Sequence, residues 1–224
     1  MKHTKRVKLI GILTTVFVVL GGVLGIIYSK SNLQSNKSTS NQAIKETSQG
    51  STKKSNGKTL IIYFSHSGAN YEGYRKVGNT QVIANYIKSK TNADIYRVIP
   101  AKAYPDKSLS KLEDIATEEK DNNARPSIKG SLPNVDNYKN IFIGSPIWYS
   151  EYPMIMRTLF DKIDLNNKTI IPFVTDGGSG FGSTQEILRD QYPKATILKG
   201  FQVQGSDVQN AKGDVNQWLT KLGY

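Results

Sequence analysis

Short apolar runs alternate with amphipathic helical patterns along residues 59–224. Thr59–Phe64 is an almost unbroken apolar run, which is typical of a central strand covered on both faces. Near the end of the chain, Val215, Trp218 and Leu219 recur at helical spacing and predict a last helix. Because strands that alternate with helices form parallel βαβ units, the pattern predicts an α/β fold.

The predicted fold is a three-layer, doubly wound domain with a five-stranded parallel sheet. One long irregular segment, residues 101–138, interrupts the alternation, and Leu109, Leu112, Ile115 and Ala116 mark a short helix inside it. The predicted strands are Thr59–Phe64, Ala93–Ile99, Asn140–Ser145, Lys168–Thr175 and Ala195–Val203, and the other predicted helices are Thr80–Ser89, Tyr152–Ile163, Ser183–Gln191 and the last one.

The N-terminal part of the chain predicts a membrane anchor and a tether. Residues 1–8 form a basic flank before Leu9–Tyr28, which is twenty residues long and carries no charge. A helix of that length spans a hydrocarbon core of about 30 Å, and the flank keeps the N-terminus in the cytoplasm. Cleavage near Ser29-Lys30-Ser31, which would give a secreted protein, is the alternative. Residues 29–58 are polar and predict a disordered linker, so both readings place residues 59–224 outside the cytoplasmic membrane.

The net charge of +12 is concentrated before the predicted domain. Residues 1–58 hold ten Lys or Arg and one acidic residue, whereas residues 59–224 hold twenty basic and seventeen acidic residues. The domain is therefore close to balanced, and a nucleic-acid partner is not expected.

The chain has no cysteine and two histidines, His3 and His66. Disulfides, thiolate metal sites, cysteine nucleophiles and a cysteine-linked lipid anchor are thereby excluded, and a histidine metal centre is not expected. Redox chemistry in this protein must come from a bound organic cofactor.

The first predicted strand leads into a loop suited to a phosphate. Ser65 and Ser67 follow the strand, and Gly78-Asn79-Thr80 stands at the start of the first helix. Hydroxyls, small residues and a helix N-terminus are typical of phosphate sites. The G-x-x-x-x-G-K-[ST] pattern of triphosphate loops is absent, which favours a monophosphate. The alternative is an ordinary helix start capped by Asn79 or Thr80.

Two more loops complete a candidate site. The third strand ends in Gly144-Ser145-Pro146-Ile147-Trp148-Tyr149, a π-rich segment suited to a planar ring, although ordinary packing is the alternative. The fourth strand ends in a loop whose glycines let backbone N–H groups approach a ligand, with a loose surface turn as the alternative. Loops after strands one, three and four meet at one sheet edge, and flavin mononucleotide (FMN) satisfies all three. The third loop contributes Thr175, Asp176, Gly177, Gly178, Ser179, Gly180 and Gly182.

These motifs resemble those of a bacterial flavodoxin-like family, and the resemblance covers residues 59–224. It rests on a split phosphate loop, an aromatic flavin loop and a third, glycine-rich loop. The matching residues are Tyr63-Phe64-Ser65, Asn70-Tyr71 and Gly78-Asn79-Thr80, then Gly144-x-Pro146-Ile147-Trp148 with Pro153, then Pro172-Phe173-x-Thr175 with Gly178-Ser179-Gly180-x-Gly182.

The resemblance implies strand order 2-1-3-4-5 and a role for each loop. Ser65, Ser67, Asn79 and Thr80 would hold the phosphate of FMN, Trp148 or Tyr149 would flank the ring, and Asp176 to Gly182 would line its edge. Two positions depart from the family pattern. Tyr149-Ser150 stands where a second large aromatic is common, and Asp176 stands where histidine is common. His66 is expected to be a solvated loop residue.

The leading functional hypothesis is a membrane-tethered FMN protein that transfers electrons outside the cytoplasmic membrane, with a redox partner protein or a quinone-type molecule. The second is an FMN-dependent NAD(P)H or quinone reductase, which a deep pocket roofed by the Tyr71–Lys76 insertion would favour. The third is a binding module without a cofactor. No residue is required as a general acid or base, because the chemistry would belong to the cofactor.

Overall fold

The computed structural model describes residues 57–224. The predicted basic flank, the predicted anchor and residues 29–56 of the predicted linker lie outside this range. Among the residues described, no helix is long and apolar enough to span a bilayer. The elements are β1 Thr59–Phe64, β2 Gly68–Asn70, β3 Gly73–Arg75, α1 Asn79–Thr91, β4 Asp94–Val98, α2 Leu109–Asp121, β5 Asn140–Pro146, α3 Met154–Phe160, β6 Thr169–Asp176, α4 Thr184–Gln191, β7 Thr196–Ile197, β8 Phe201–Gln204, a 3₁₀ helix Val208–Asn210 and α5 Lys212–Lys221.

One parallel sheet organises the domain. Its order is β4-β1-β5-β6, and β7 and β8 both pair with β6 on the far side. With the small antiparallel hairpin β2-β3 set aside, this is the order 2-1-3-4-5 that the resemblance implies. The predicted α/β architecture with a parallel sheet is confirmed.

Both faces of the sheet are covered, which explains the unbroken apolar strands. In β1, Leu60, Ile62 and Phe64 belong to one buried cluster and Ile61 and Tyr63 to the other. The alternation follows from the two-residue period of a strand. The first cluster is completed by Ile155 and Leu159 of α3 with Leu188 of α4, and the second by Ile83 and Ile87 of α1 with Val215 and Leu219 of α5.

The fifth strand is broken, whereas the sequence predicts one continuous strand, Ala195–Val203. Register runs from Ile170↔Ile197 to Phe173↔Phe201, so three steps along β6 oppose four steps along its partner. One extra residue of this kind is a β-bulge. Gly200 lies in the bulge, where a Cβ would come within 2.6 Å of the Pro172 carbonyl oxygen and of the Phe181 ring.

The helices around Leu109 and after Pro153 differ from their predictions. The short helix expected around Leu109 is a helix of thirteen residues, and Ser108 caps it by accepting a hydrogen bond from the Lys111 N–H. The helix predicted for Tyr152–Ile163 begins one residue after Pro153 and is seven residues long. Its five predicted inward-facing residues are all buried: Ile155, Met156, Leu159, Phe160 and Ile163.

Candidate functional site

Three loops line one pocket at the carboxyl edge of the sheet. They follow β1, β5 and β6, which lie side by side, and this edge is where ligands bind in doubly wound folds. Of the predicted residues within the described domain, Ser65, Asn79, Thr80, Pro146, Ile147, Trp148, Thr175, Asp176 and Gly177 line the pocket, Tyr149 and Ser179 line an adjoining cleft, and Ser67, Gly178, Gly180 and Gly182 line neither space.

The start of α1 forms one end of the pocket. Ser65 Oγ accepts a hydrogen bond from the Gln81 N–H at 3.1 Å and so fixes the first turn. The amides of Asn79 and Thr80 come earlier, and the first N–H groups of a helix have no helical carbonyl to bond. The N-cap is Gly78, without a side-chain cap, so the alternative that Asn79 or Thr80 caps the helix is wrong. This end of the pocket can therefore accept an anion.

Trp148 lines the pocket and is held there by other aromatic rings. Its ring centroid lies 5.6 Å from that of Phe64 and 5.1 Å from that of Tyr104, with nearly perpendicular planes. Edge-to-face pairs of this kind are favourable beyond the area they bury. Trp148 therefore offers a wall of fixed orientation to a planar ligand.

Tyr149 points elsewhere because a tight turn follows Trp148. The N–H and carbonyl of Trp148 exchange hydrogen bonds with those of Glu151 at 3.0 and 3.1 Å. Tyr149 and Ser150 have φ of +49° and +65°, the pattern of a type I′ turn. The Tyr149 hydroxyl accepts a hydrogen bond from Thr117 and donates one to the Glu113 carbonyl. Its phenol group is thus docked on α2, beside the pocket rather than in it.

Asp176 organises the glycine-rich loop. Its Oδ1 accepts hydrogen bonds from the N–H groups of Gly178 at 2.7 Å and Gly180 at 3.0 Å, and its Oδ2 accepts one from Gln202 Nε2. The carboxylate is buried, with 5% of Asp176 exposed. The loop is therefore not a loose turn, and the amides of Gly178 and Gly180 serve the loop itself.

His66 lies in the pocket wall, although the sequence predicts a solvated loop position. Its Nε2 is buried and has no hydrogen-bond partner among the described residues. Burial lowers the pKa of His66, while the charge of Asp106 and a hydrogen bond with the backbone of Ala69 oppose that shift. The sequence held one indication that His66 lies at the site: it directly follows Ser65, in the loop after the central strand.

Five further pocket residues were outside the predicted set. The hairpin residues had a signal in the sequence, since Asn70-Tyr71 belongs to the motif that resembles the split phosphate loop. The leucines of α2 had none, because the sequence does not show where the long excursion packs. The five are Asn70, Tyr71, Glu72, Leu109 and Leu112.

The sheet order and the pocket at its carboxyl edge define a flavodoxin-like protein. A sequence profile of the flavodoxin family matches residues 58–222, and the chain belongs to this family. No curated protein matches the chain.

Solved structures with the same fold support this assignment. A candidate flavoprotein from Bacteroides eggerthii is 27% identical, with a TM-score of 0.61 over 75% of this chain and 99% of that chain. A candidate flavoprotein from Bacteroides uniformis is also 27% identical, with a TM-score of 0.59 over 73% and 98%. A flavoprotein from Lactobacillus acidophilus, solved in complex with FMN, is 24% identical, with a TM-score of 0.53 over 69% and 97%. The last likeness shows the fold alone.

Proposed function

We propose that the chain is an FMN-binding, flavodoxin-like electron-transfer protein. The supporting observation is a single pocket that joins the start of α1, the ring of Trp148 and the end of β6. An anion fits the first of these and a planar ring fits the second. FMN carries both groups on one molecule, and when bound it accepts and donates electrons.

Two buried polar atoms support the fit of such a ligand. His66 Nε2 and Asn79 Oδ1 have no partner among the described residues, whereas buried polar groups are nearly always hydrogen-bonded. Asn79 Oδ1 needs a donor, which a ribityl hydroxyl provides. The hydroxyl groups of Ser65 and Thr80 provide donors for phosphate oxygens, since a hydroxyl can donate and accept at once.

The residues of the chain bind and orient the cofactor and do not themselves exchange electrons. Trp148 excludes water from one side of the pocket, and Phe64 and Tyr104 hold its ring in place. Asp176 keeps the glycine-rich loop in one conformation. No side chain is needed as a general acid or base.

The N-terminal sequence supports a location at the outer face of the cytoplasmic membrane. Leu9–Tyr28 is long and apolar enough to anchor the chain, and residues 29–58 are polar. A flexible coil of that length reaches about 30 Å on average. The domain could then approach membrane-bound donors such as quinols or a partner reductase. Protease digestion of intact and permeabilised cells tests this location, since only an external domain is cleaved in both.

A second candidate function is an FMN-dependent NAD(P)H or quinone reductase, which would take electrons from NAD(P)H and pass them to a quinone. Tyr71 and Glu72 of the β2-β3 hairpin line the pocket, so the insertion forms part of its wall. A covered pocket suits a small substrate that binds over the flavin, whereas a carrier needs an exposed ring edge. Sustained oxidation of NAD(P)H with a soluble quinone would favour the reductase.

The proposal is tested by the visible absorption spectrum of the full chain in mild detergent, before and after FMN is added. We expect a yellow protein that releases FMN on denaturation. Trp148→Leu should weaken FMN binding about tenfold, the effect of losing one aromatic contact. Tyr74→Leu is the control, because Tyr74 is 61% exposed and does not line the pocket. A colourless protein that ignores FMN would leave only the cofactor-free binding module.

A further inference from the structure

Glu72 places a carboxylate at the phosphate end of the pocket. The residue lies between β2 and β3, and its N–H donates to Asn70 Oδ1 at 3.1 Å. Its Oε2 is 3.5 Å from Asn79 Nδ2, and its Oε1 would come 2.4 Å from a Cβ on Gly205. The carboxylate therefore lies between the start of α1 and the loop that follows β8.

A carboxylate in this position is stabilised by the start of α1 in the same way as a phosphate would be. Negative charge near a helix N-terminus is stabilised by the helix dipole and the free amides. Two anions close together repel each other, so the Glu72 carboxylate and a phosphate dianion cannot both be favoured there.

His66 lies in the same pocket and has one ring nitrogen, Nε2, buried without a partner. A hydrogen bond with the backbone of Ala69 favours the protonated ring. The charge that acts on the ring is that of Asp106, before α2. Glu72 of the hairpin lines the same pocket, and Arg97 of β4 donates to the carbonyl of the adjacent Ser65 at 3.2 Å. Trp148 packs against the ring and carries no charge.

We infer that FMN binds by exchange: its phosphate displaces the Glu72 carboxylate from the start of α1, and His66 Nε2 takes up a proton from solvent. The inference rests on the proposed FMN function and concerns how that site is regulated. Without a ligand, burial lowers the pKa of His66 and so favours the neutral imidazole. A nearby dianion favours the imidazolium form, which can donate from Nε2 to a phosphate oxygen.

Proton uptake gives the binding a defined pH dependence. A ligand whose binding adds a proton to the protein binds more tightly at low pH, so FMN affinity should fall as the pH rises above neutral. A phosphate monoester has its second pKa at about 6, so above neutral pH this trend reports proton uptake by the protein. Riboflavin lacks the phosphate and should show no such trend.

Calorimetry of the full chain in mild detergent tests the exchange. FMN is titrated at pH 7.5 in two buffers of different ionisation heat, which gives the number of protons taken up per FMN. We expect a positive fraction for the wild type, none for His66→Gln, and none for wild type with riboflavin. Glu72→Gln should bind FMN about tenfold more tightly, as expected for removing one charge about 6 Å from a dianion in water. Glu118→Gln, an equal charge change at an exposed position on α2, should bind like the wild type.

The possible outcomes separate this inference from the proposed function. FMN binding without proton uptake, or uptake that persists in His66→Gln, overturns the inference and leaves the FMN function standing. Unchanged FMN affinity in Glu72→Gln also overturns it. A wild type that binds no FMN overturns both. His66→Asn provides a second variant, and riboflavin binding shows that each variant still has a folded site.

Discussion

The hydroxyl oxygens of Thr80 and Thr175 lie 2.8 Å apart and form a buried hydrogen bond between the first and third loops of the site. Thr80 is the second residue of α1 and Thr175 stands near the end of β6, so the bond joins two elements that are far apart in the sequence. The relative position of the two loops therefore depends on a pair of neutral side chains.

Removing one of these hydroxyls should destabilise the domain, because the hydroxyl that remains is left buried without a partner. Thr80→Val leaves the Thr175 hydroxyl buried without a partner, which typically costs about 1–3 kcal/mol. The double variant Thr80→Val/Thr175→Val should lose less than the sum of the single variants, because neither hydroxyl is then orphaned. Urea unfolding measures each step. Thr220→Val on the exposed side of α5 is the control, and strict additivity would contradict the prediction.

Gly78 should be far less tolerant of alanine than another glycine of the domain. A Cβ on Gly78 would lie 2.0 Å from the His66 carbonyl oxygen, and relief of that clash requires movement of the backbone. Gly78→Ala should cost at least about 2 kcal/mol and weaken FMN binding. Gly213→Ala, in α5 with nothing within 4 Å, should instead stabilise by about 0.5–1 kcal/mol. Thermal unfolding of the two variants measures these changes in stability. Equal changes for Gly78→Ala and Gly213→Ala would contradict the predicted clash.

In the turn after Trp148, the effect of a substitution on stability should depend on how well the new residue tolerates positive φ. Ser150 has φ of +65°, a conformation that asparagine accepts and β-branched residues resist. We expect Ser150→Asn to be neutral or slightly stabilising and Ser150→Val to cost about 1–2 kcal/mol. The melting temperatures of the two variants measure this difference. Equal values would mean that the turn relaxes.

Glu119 should make stability depend on pH in the acidic range. Burial raises the pKa of Glu119, while the hydrogen bond from the Tyr104 hydroxyl at 2.8 Å opposes the shift. The folded state therefore holds this proton to higher pH than the unfolded state does. The contribution of protonated Glu119 to the free energy of unfolding is greatest below the pKa of about 4.3 that a glutamate has in the unfolded chain. This contribution is lost as the pH rises through the pKa of Glu119 in the folded state. Urea unfolding from pH 4 to 7 should show wild type losing stability relative to Glu119→Gln, and parallel curves would contradict this.

The fold was predictable where burial on both faces fixes the pattern. β1 has the predicted bounds and β5 is one residue longer than predicted, because Leu60–Phe64 and Ile141–Ile143 are apolar on both faces of the sheet. The break between β7 and β8 was not predictable, since it depends on contacts of Gly200 with Pro172 and Phe181. The length of α2 was underestimated because only Leu112 and Ala116 are buried in it.

The candidate site was predictable at the level of loops rather than of side-chain directions. Strand ends identify the three loops, and the pocket joins all of them. The separation of Trp148 from Tyr149 follows from the turn between them, which Tyr149-Ser150 does not signal, as residues typical of positive φ would. The position of His66 depends on Trp148 and Asp106, which are distant in sequence.

The broken fifth strand also affects how neighbouring copies of the protein can meet. An edge strand offers unpaired N–H and C=O groups on which a second sheet can grow, and short or bulged edges resist such growth. Here that edge consists of pieces of two and four residues, interrupted at Gly200. If the domain is tethered to a membrane as proposed, its copies would meet often and in similar orientations. The bulge would then keep crowded domains from fusing edge to edge into a continuous sheet.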